Sequence, residues 1–238
     1  MRKIIFAFAI FLAGVTASAN IEIDIDYYGL PVYQESVTNE TVNINSNLLY
    51  SSPAGIKNDF SFFFRTFDPA EKNKTIDLGL NLGFGIDFTS SWQYAGQKAV
   101  TWGTDSWFVL GPVIRLNINE YHAVSLSLGY RFNYFTTSYV TTDYIKGKAD
   151  VTLKEYSSII NFNISYRFWL INRPGYHFGF NVGTDLGIIA GGGGHATIIY
   201  RDNRINDKTA IHRNGPGFTT DIYLGACFNF GDRGCDRY

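Results

Sequence analysis

The chain has no excess charge of either sign: 20 Lys and Arg stand against 21 Asp and Glu, for a formal net charge of −1 at pH 7. It therefore lacks the basic footprint that nucleic-acid binding requires. Cysteine is almost missing. Cys227 and Cys235 are the only two, and their spacing is not that of a zinc site. Past the N-terminus no segment is apolar over the roughly 20 residues that a membrane helix needs. Lysine is absent from the centres of the strand-like segments, where water-facing strands normally carry it.

The N-terminus itself, "MRKIIFAFAIFLAGVTASAN", has a basic start at Arg2 and Lys3 and an apolar run from Ile4 to Val15. The small-residue signature Ala17-Ser18-Ala19 follows. This is the pattern of a cleaved signal peptide over residues 1–19. The run is too short for an anchor helix, and no Cys stands at the expected mature start, Asn20, to carry a lipid.

What the chain has in abundance is alternation. In "TIDLGLNLGFGIDF" (75–88) every second residue is large and apolar, from Ile76 to Phe88. The residues between are Asp77, Gly79, Asn81, Gly83, Gly85 and Asp87. A period of two is the signature of a strand with two unlike faces. The pattern recurs at 21–28, 58–67, 107–118, 123–135, 158–169, 177–189 and 218–230, giving eight strands. Short connections (68–74, 119–122, 170–176) alternate with long ones (29–57, 89–106, 136–157, 190–217). Such alternation predicts an up-and-down barrel with short periplasmic turns and long extracellular loops.

The polarity of the faces decides where the oil is. A soluble lipocalin-like barrel would turn its apolar face inward. Here the polar face is Gly, Asn, Ser, Thr, Asp and a few Arg, small enough to line a narrow lumen, and the apolar sets contain no charge. Swapping the faces would put several Arg and Asp into lipid, at roughly 2–4 kcal/mol for each mid-bilayer Arg. The expected fold is therefore all-β: a closed eight-stranded antiparallel transmembrane barrel over residues 20–230, with a short periplasmic tail at 231–238. Aromatic girdles are expected from Tyr134, Tyr156 and Phe218 at the upper rim. Phe67, Phe168, Trp169, Tyr176, Phe228 and Phe230 are expected at the lower rim. Pro112 lies inside a strand of a fold without edges, and a bulge at Gly111-Pro112 is expected to accommodate it.

This pattern resembles the small eight-stranded outer-membrane barrels, the OmpA/OmpX/OmpW-type group, as an architecture over residues 20–230. "YLGACFNF" (223–230), with Gly225, Phe228 and Phe230, resembles the C-terminal assembly signal of such barrels and implies the barrel-assembly machinery as a partner. "SYVTTDYI" and "DVTLKEY" flank Lys146-Gly147-Lys148 and are β-prone, so the strands on either side are expected to continue as a hairpin turning at Gly147. In the OmpX-like pattern such a hairpin implies binding by strand addition.

The lumen-facing charges Asp24, Asp26, Arg65, Asp77, Asp87, Arg115, Arg131, Arg167, Asp185 and Asp221 are expected to form ion pairs, because an unpaired buried charge is expensive. Arg65 is expected to meet Asp24 and Asp77. The network is either a plug or the gate of a narrow small-solute channel. An eight-strand lumen is just wide enough for side chains to fill, which favours the plug. Arg201, Arg204, Lys208 and Arg213 make the last loop basic, suited to lipopolysaccharide-type headgroups or a host or envelope ligand. "GGGGH" (191–195) lacks the helix of a phosphate-cradling loop and reads as a flexible loop base. A lipid-modifying enzyme would need a triad drawn from His122, His177, His195 or His212 with Asp105 and Ser106. No His-x-Ser pair lies on a strand, and no catalytic activity, cofactor or metal is expected. A turn at Gly231 and Gly234 would bring Cys235 back to lumen-facing Cys227, leaving either a disulfide or two free thiols. The expected state is a monomer.

Overall fold

The computed structural model describes residues 20–39, 45–51, 54–67, 74–89, 91–94, 97–99, 103–143, 147–201, 206–213 and 217–231. Residues 1–19 and 232–238, and with them the expected signal peptide, most of the tail and Cys235, lie outside the described residues. The strands are β1 (Asn20–Asn39), β2 (Asn45–Ser51), β3 (Ala54–Phe67), β4 (Thr75–Thr89), β5 (Ser91–Tyr94) and β6 (Gln97–Ala99). They continue with β7 (Gly103–Asn117), β8 (His122–Asp143), β9 (Gly147–Arg173), β10 (Tyr176–Tyr200), β11 (Asn206–Arg213) and β12 (Gly217–Phe230).

Eight of them close a ring, β1-β3-β4-β7-β8-β9-β10-β12, with every neighbouring pair antiparallel. β12 closes it, pairing β10 from Tyr176↔Phe230 to Ile189↔Gly217 and β1 from Ile21↔Phe230 to Gln34↔Phe218. Closure is required because lipid offers no partner to an open strand edge. The faces fall as the alternation demands. Phe84, Leu110, Leu128 and Leu224 are 46–62% exposed on the outside, while Arg115, Arg131, Asp77 and Asp185 are 0–2% exposed within. An apolar belt of this extent is incompatible with a water-facing wall.

The belt has two edges. From outward-facing Tyr156 to Phe168 along β9 is about 40 Å at roughly 3.3 Å per residue. At a strand tilt of about 40° that is close to 30 Å along the normal, the thickness of a bilayer's hydrocarbon core. Above Tyr134 and Tyr156 the polarity of the wall inverts. The outward positions become Thr136, Ser138, Thr152 and Lys154. The inward ones become Phe135, Ala149, Val151, Leu153 and Ala196, all buried. The sheet above this level obeys the apolar-in rule of a protein in water, so the inversion marks where the oil ends.

The hairpin expected within 136–157 is present: β8 and β9 continue as paired strands up to Asp143↔Gly147, although Gly147 opens β9 instead of turning the chain. Other expectations are corrected here. The connection 190–217 is largely strand among the described residues. Gly191–Gly194 continue β10 as strand between β9 and β11 instead of forming a loop base. Pairing on both sides overrides the low strand propensity of glycine.

Pro112 causes no bulge. The β7–β8 register is the same before (Leu110↔Tyr130) and after it (Val113↔Ser127), with only the ladder interrupted, and Pro112 stays opposite Leu80 on β4. Proline removes one donor, which requires no extra residue. A bulge does occur on β3 between Phe63 and Arg65. It sets Arg65 in register with Leu78 and Thr66 with Asp77. Trp169 shares the parity of Arg167 and is fully buried inside, not part of the lower girdle. The girdle residues Tyr134, Tyr156, Phe218, Phe67, Phe168, Tyr176 and Phe230 are exposed, and Phe228 packs its ring against Phe178.

The lower end is tied by short turns. Asn119 Oδ1 accepts from the backbone N–H groups of Tyr121 (2.8 Å) and His122 (2.9 Å). Gly175 adopts φ +76°, which turns β9 into β10 and suits a residue without Cβ.

Candidate functional site

Inside the ring, charged side chains stack in three levels, each with a cation lying on an aromatic ring. At the periplasmic end Arg115 is fully buried. Its Nε donates to Asp77 Oδ2 (2.9 Å), and its Nη1 donates to Glu22 Oε2 (2.7 Å) and Asn229 Oδ1 (2.8 Å). Its guanidinium carbon lies 4.0 Å from the Phe63 ring centre. Arg167 takes the other Glu22 oxygen at 2.7 Å and Asp24 at 2.5 Å, so Glu22 bridges two guanidinium groups. Asn117 adds a donor to Asp77 at 2.7 Å, and Thr66 adds another at 2.7 Å from the position that parity alone gives to Arg65.

In the middle, Lys57 Nζ sits 2.7 Å from Asp185 and 3.0 Å from Asp59, with the Tyr223 ring centre at 4.2 Å. Asn161 and Asn163 each donate to Asp185 Oδ1, and Asn163 also donates to the Tyr223 hydroxyl oxygen at 2.6 Å. Above them Arg131 lies over Trp107 at 4.2 Å, between Asp87 at 3.8 Å and Asp221 at 3.6 Å. Arg131 Nε donates to Asn133 Oδ1, and Asn133 Nδ2 to Asp105. Asp26 is buried and in register with Gly225, itself in register with Asn181.

The structure thus brings together nine of the ten expected lumen charges. The side chain of the tenth, Arg65, lies outside the described residues; among the described residues Asp24 pairs with Arg167 and Asp77 with Arg115. The sequence reading missed Lys57, the centre of the middle level, and Asp59. The expected strand began at 58, yet Gly55, Lys57, Asp59 and Ser61 share one parity, a signal that was available in the sequence. Among the described residues, four cations (Lys57, Arg115, Arg131, Arg167) share the interior with ten carboxylates (Glu22, Asp24, Asp26, Asp59, Asp77, Asp87, Asp105, Glu155, Asp185, Asp221). The interior is therefore net acidic even though the chain is nearly neutral.

The histidines lie at opposite ends. His122 Nδ1 is 2.5 Å from the Tyr166 hydroxyl, and its ring lies against Tyr166 and Phe168. His177 is buried at the same end, edge-on to Trp169, with Nδ1 2.6 Å from Asn172 Oδ1. His195 and His212 are in β10 and β11, across from Lys154 and Gly193. Ser106 faces outward.

Cys227 is buried in register with Asp24 and Gly179. Gly225, Phe228 and Phe230 lie at the end of β12. The Phe230 ring lies tilted against Tyr176 at 5.7 Å, and Gly231 N–H donates to Gly175 O. Above the membrane Arg201 grips Asp150 with two bonds, Nε to Oδ2 at 2.9 Å and Nη2 to Oδ1 at 2.6 Å. Those bonds hold the Asp150 carboxyl below its ordinary range and push the Arg201 guanidinium up. Arg204 and the side chains of Lys208 and Arg213 lie outside the described residues.

No family model and no curated protein sequence matches the chain. Among solved structures it is similar to a major outer membrane protein from Thermus thermophilus, at 13% identity and a TM-score of 0.50, covering 89% of this chain and 99% of that one. It is also similar to the outer membrane protease OmpT from Escherichia coli, with 11% identity, a TM-score of 0.47, and 89% and 97% coverage. A third similar structure is the attachment invasion locus protein Ail of Yersinia pestis, with 13% identity, a TM-score of 0.39, and 90% and 99% coverage. At 13% identity the likeness to the Thermus protein is one of fold alone. The fold of this chain is that of the small antiparallel outer-membrane β-barrels.

Proposed function

We propose that this barrel is a surface-displayed binding protein that conducts no solute and captures an extended segment of an envelope or host partner on its raised sheet. The observation that carries the reading is the open edge of β8. β7 reaches β8 only as far as Gly103↔Thr137. From Tyr139 to Asp143, among the described residues, β8 is paired on its β9 side alone. An exposed strand edge above the membrane is a template for strand addition, in which main-chain bonds supply the affinity.

Peptides selected against the folded barrel are expected to slow amide exchange over residues 139–143 by on the order of tenfold. They are expected to lose binding to a variant whose β8–β9 hairpin is cut back to Thr137. Peptides that bind the shortened variant equally well would refute the reading.

The three levels of paired charge support a lumen filled by side chains, and this reading gives the barrel no reaction of its own. The net acidic interior favours a second reading, a narrow cation-selective channel. Single-channel recording of folded protein, with a heat-dependent gel shift as the folding control, separates the two. Silence is expected. Discrete cation-selective steps that change in Asp185→Asn would make the channel primary.

A further inference from the structure

The outer wall is not uniform. Where β8, β9, β10 and β12 pass side by side, a groove of about 590 Å³ is cut into the apolar belt. It exists where the wall dips at a short residue: outward-facing Thr220 is short, while Phe162, Ile160, Ile188 and Phe218 stand up around it. From Leu128 on β8 to Thr220 on β12 the groove crosses three strand spacings, about 14 Å. That is wide enough for acyl chains lying side by side.

Its height is fixed by the rim. Ile160 lies four residues below Tyr156 on the same strand and face, about 13 Å along β9. The groove is therefore in the outer half of the hydrocarbon core. Two residues above Tyr156, on that same face, Lys154 is exposed. Lys148 follows further up, also exposed. Among the described outward side chains of β8–β10 above the rim, Asp150 is the one acid, and Arg201 already holds it. The wall thus presents a recess for several chains and, directly above it, uncompensated positive charge at headgroup level.

We infer that this face is a binding site for one phosphorylated glycolipid of the outer leaflet, with its acyl chains in the groove and a phosphate at Lys154. The site is independent of the β8 edge, so the strand-addition reading stands or falls separately.

Native mass spectrometry of the full-length barrel tests it, after refolding in micelles that hold equal amounts of lipid A and phosphatidylglycerol. One lipid A per barrel is expected to survive release from the micelle. Lys154→Glu is expected to weaken retention about thirtyfold, since a Lys near an anionic surface contributes about 1 kcal/mol and reversal counts twice. Thr220→Phe fills the recess and is expected to abolish retention with the heat-dependent gel shift intact. Should that variant fail to fold, Thr220→Leu, which only adds apolar surface toward lipid, takes its place. Equal retention of phosphatidylglycerol, or lipid A retention unchanged by both the Lys154 and the Thr220 variants, overturns the proposal.

Discussion

Replacing Arg115 with Ala is expected to lower the barrel's stability by roughly 3–5 kcal/mol, the cost of removing one partner from a buried ionic network. Arg115 has no exposed surface, and it donates to three buried groups at once: Asp77, Glu22 and Asn229. Its loss leaves ten interior carboxylates against three cations and leaves Glu22 to Arg167. The fork geometry matters as well as the charge, so Arg115→Lys is expected to recover only part of the loss. Denaturant unfolding from lipid vesicles measures it. A midpoint within about 1 kcal/mol of the parent's would mean that the lower lumen is wet enough to solvate both acids. Pairing Arg115→Ala with Asp77→Asn should return part of the stability, because the stranded charge is removed with its partner.

Gly111→Ala is expected to be among the most damaging methyl additions at the described glycines. A Cβ there would fall inside contact distance of the Leu128 carbonyl oxygen and the Gly129 Cα. Both are backbone atoms, so neither can rotate away, and β7 and β8 must part where Pro112 has already interrupted their ladder. Overpacking ordinarily costs about 1–3 kcal/mol, and this site is expected at or above the top of that range. Two other glycines are internal controls. At Gly129 the new atom would meet a Val109 methyl at 2.5 Å, a side-chain atom and not backbone, so Gly129→Ala should cost less. At Gly191 it would meet nothing within 4 Å, and Gly191→Ala should be neutral. Heat-dependent gel shift and unfolding midpoint order the three. An order other than Gly111, Gly129, Gly191 would show that the strands slide to make room.

The transmembrane strands were readable because two environments, lipid outside and packed polar groups inside, write opposite letters at every second position. "TIDLGLNLGFGIDF" leaves no doubt about either face, and β4 spans it nearly residue for residue. Parity also placed Asp87, Arg131 and Asp185 inside. The reading failed where that code changes. Above Tyr156 the same chain turns its apolar side inward, so Val151 and Leu153 are buried while Lys154 is exposed. The β8–β9 hairpin was still legible there from its β-prone flanks, but the matching part of β10, Gly191 to Tyr200, reads as a loop to a search tuned to lipid-facing Phe and Leu. Lys57 was lost for a related reason: the expected strand was started one residue too late. A single extra residue on β3 reverses parity beyond Phe63 and sets Thr66 opposite Asp77, where unbroken parity puts Arg65.

Periodicity and connection length are local quantities, and they were enough to set the number of transmembrane strands, their order around the ring and the side of the wall that each residue faces. Which cation meets which acid is a different kind of fact, and it came from the closed barrel. Lys57 finds Asp185 across 128 positions of sequence, and Arg167 finds Asp24 across 143. Facing inward fixes a direction, but the height in the lumen depends on strand tilt, stagger and every bulge on the way around. A pair forms only where two heights coincide, and closure of the ring sets all the heights at once.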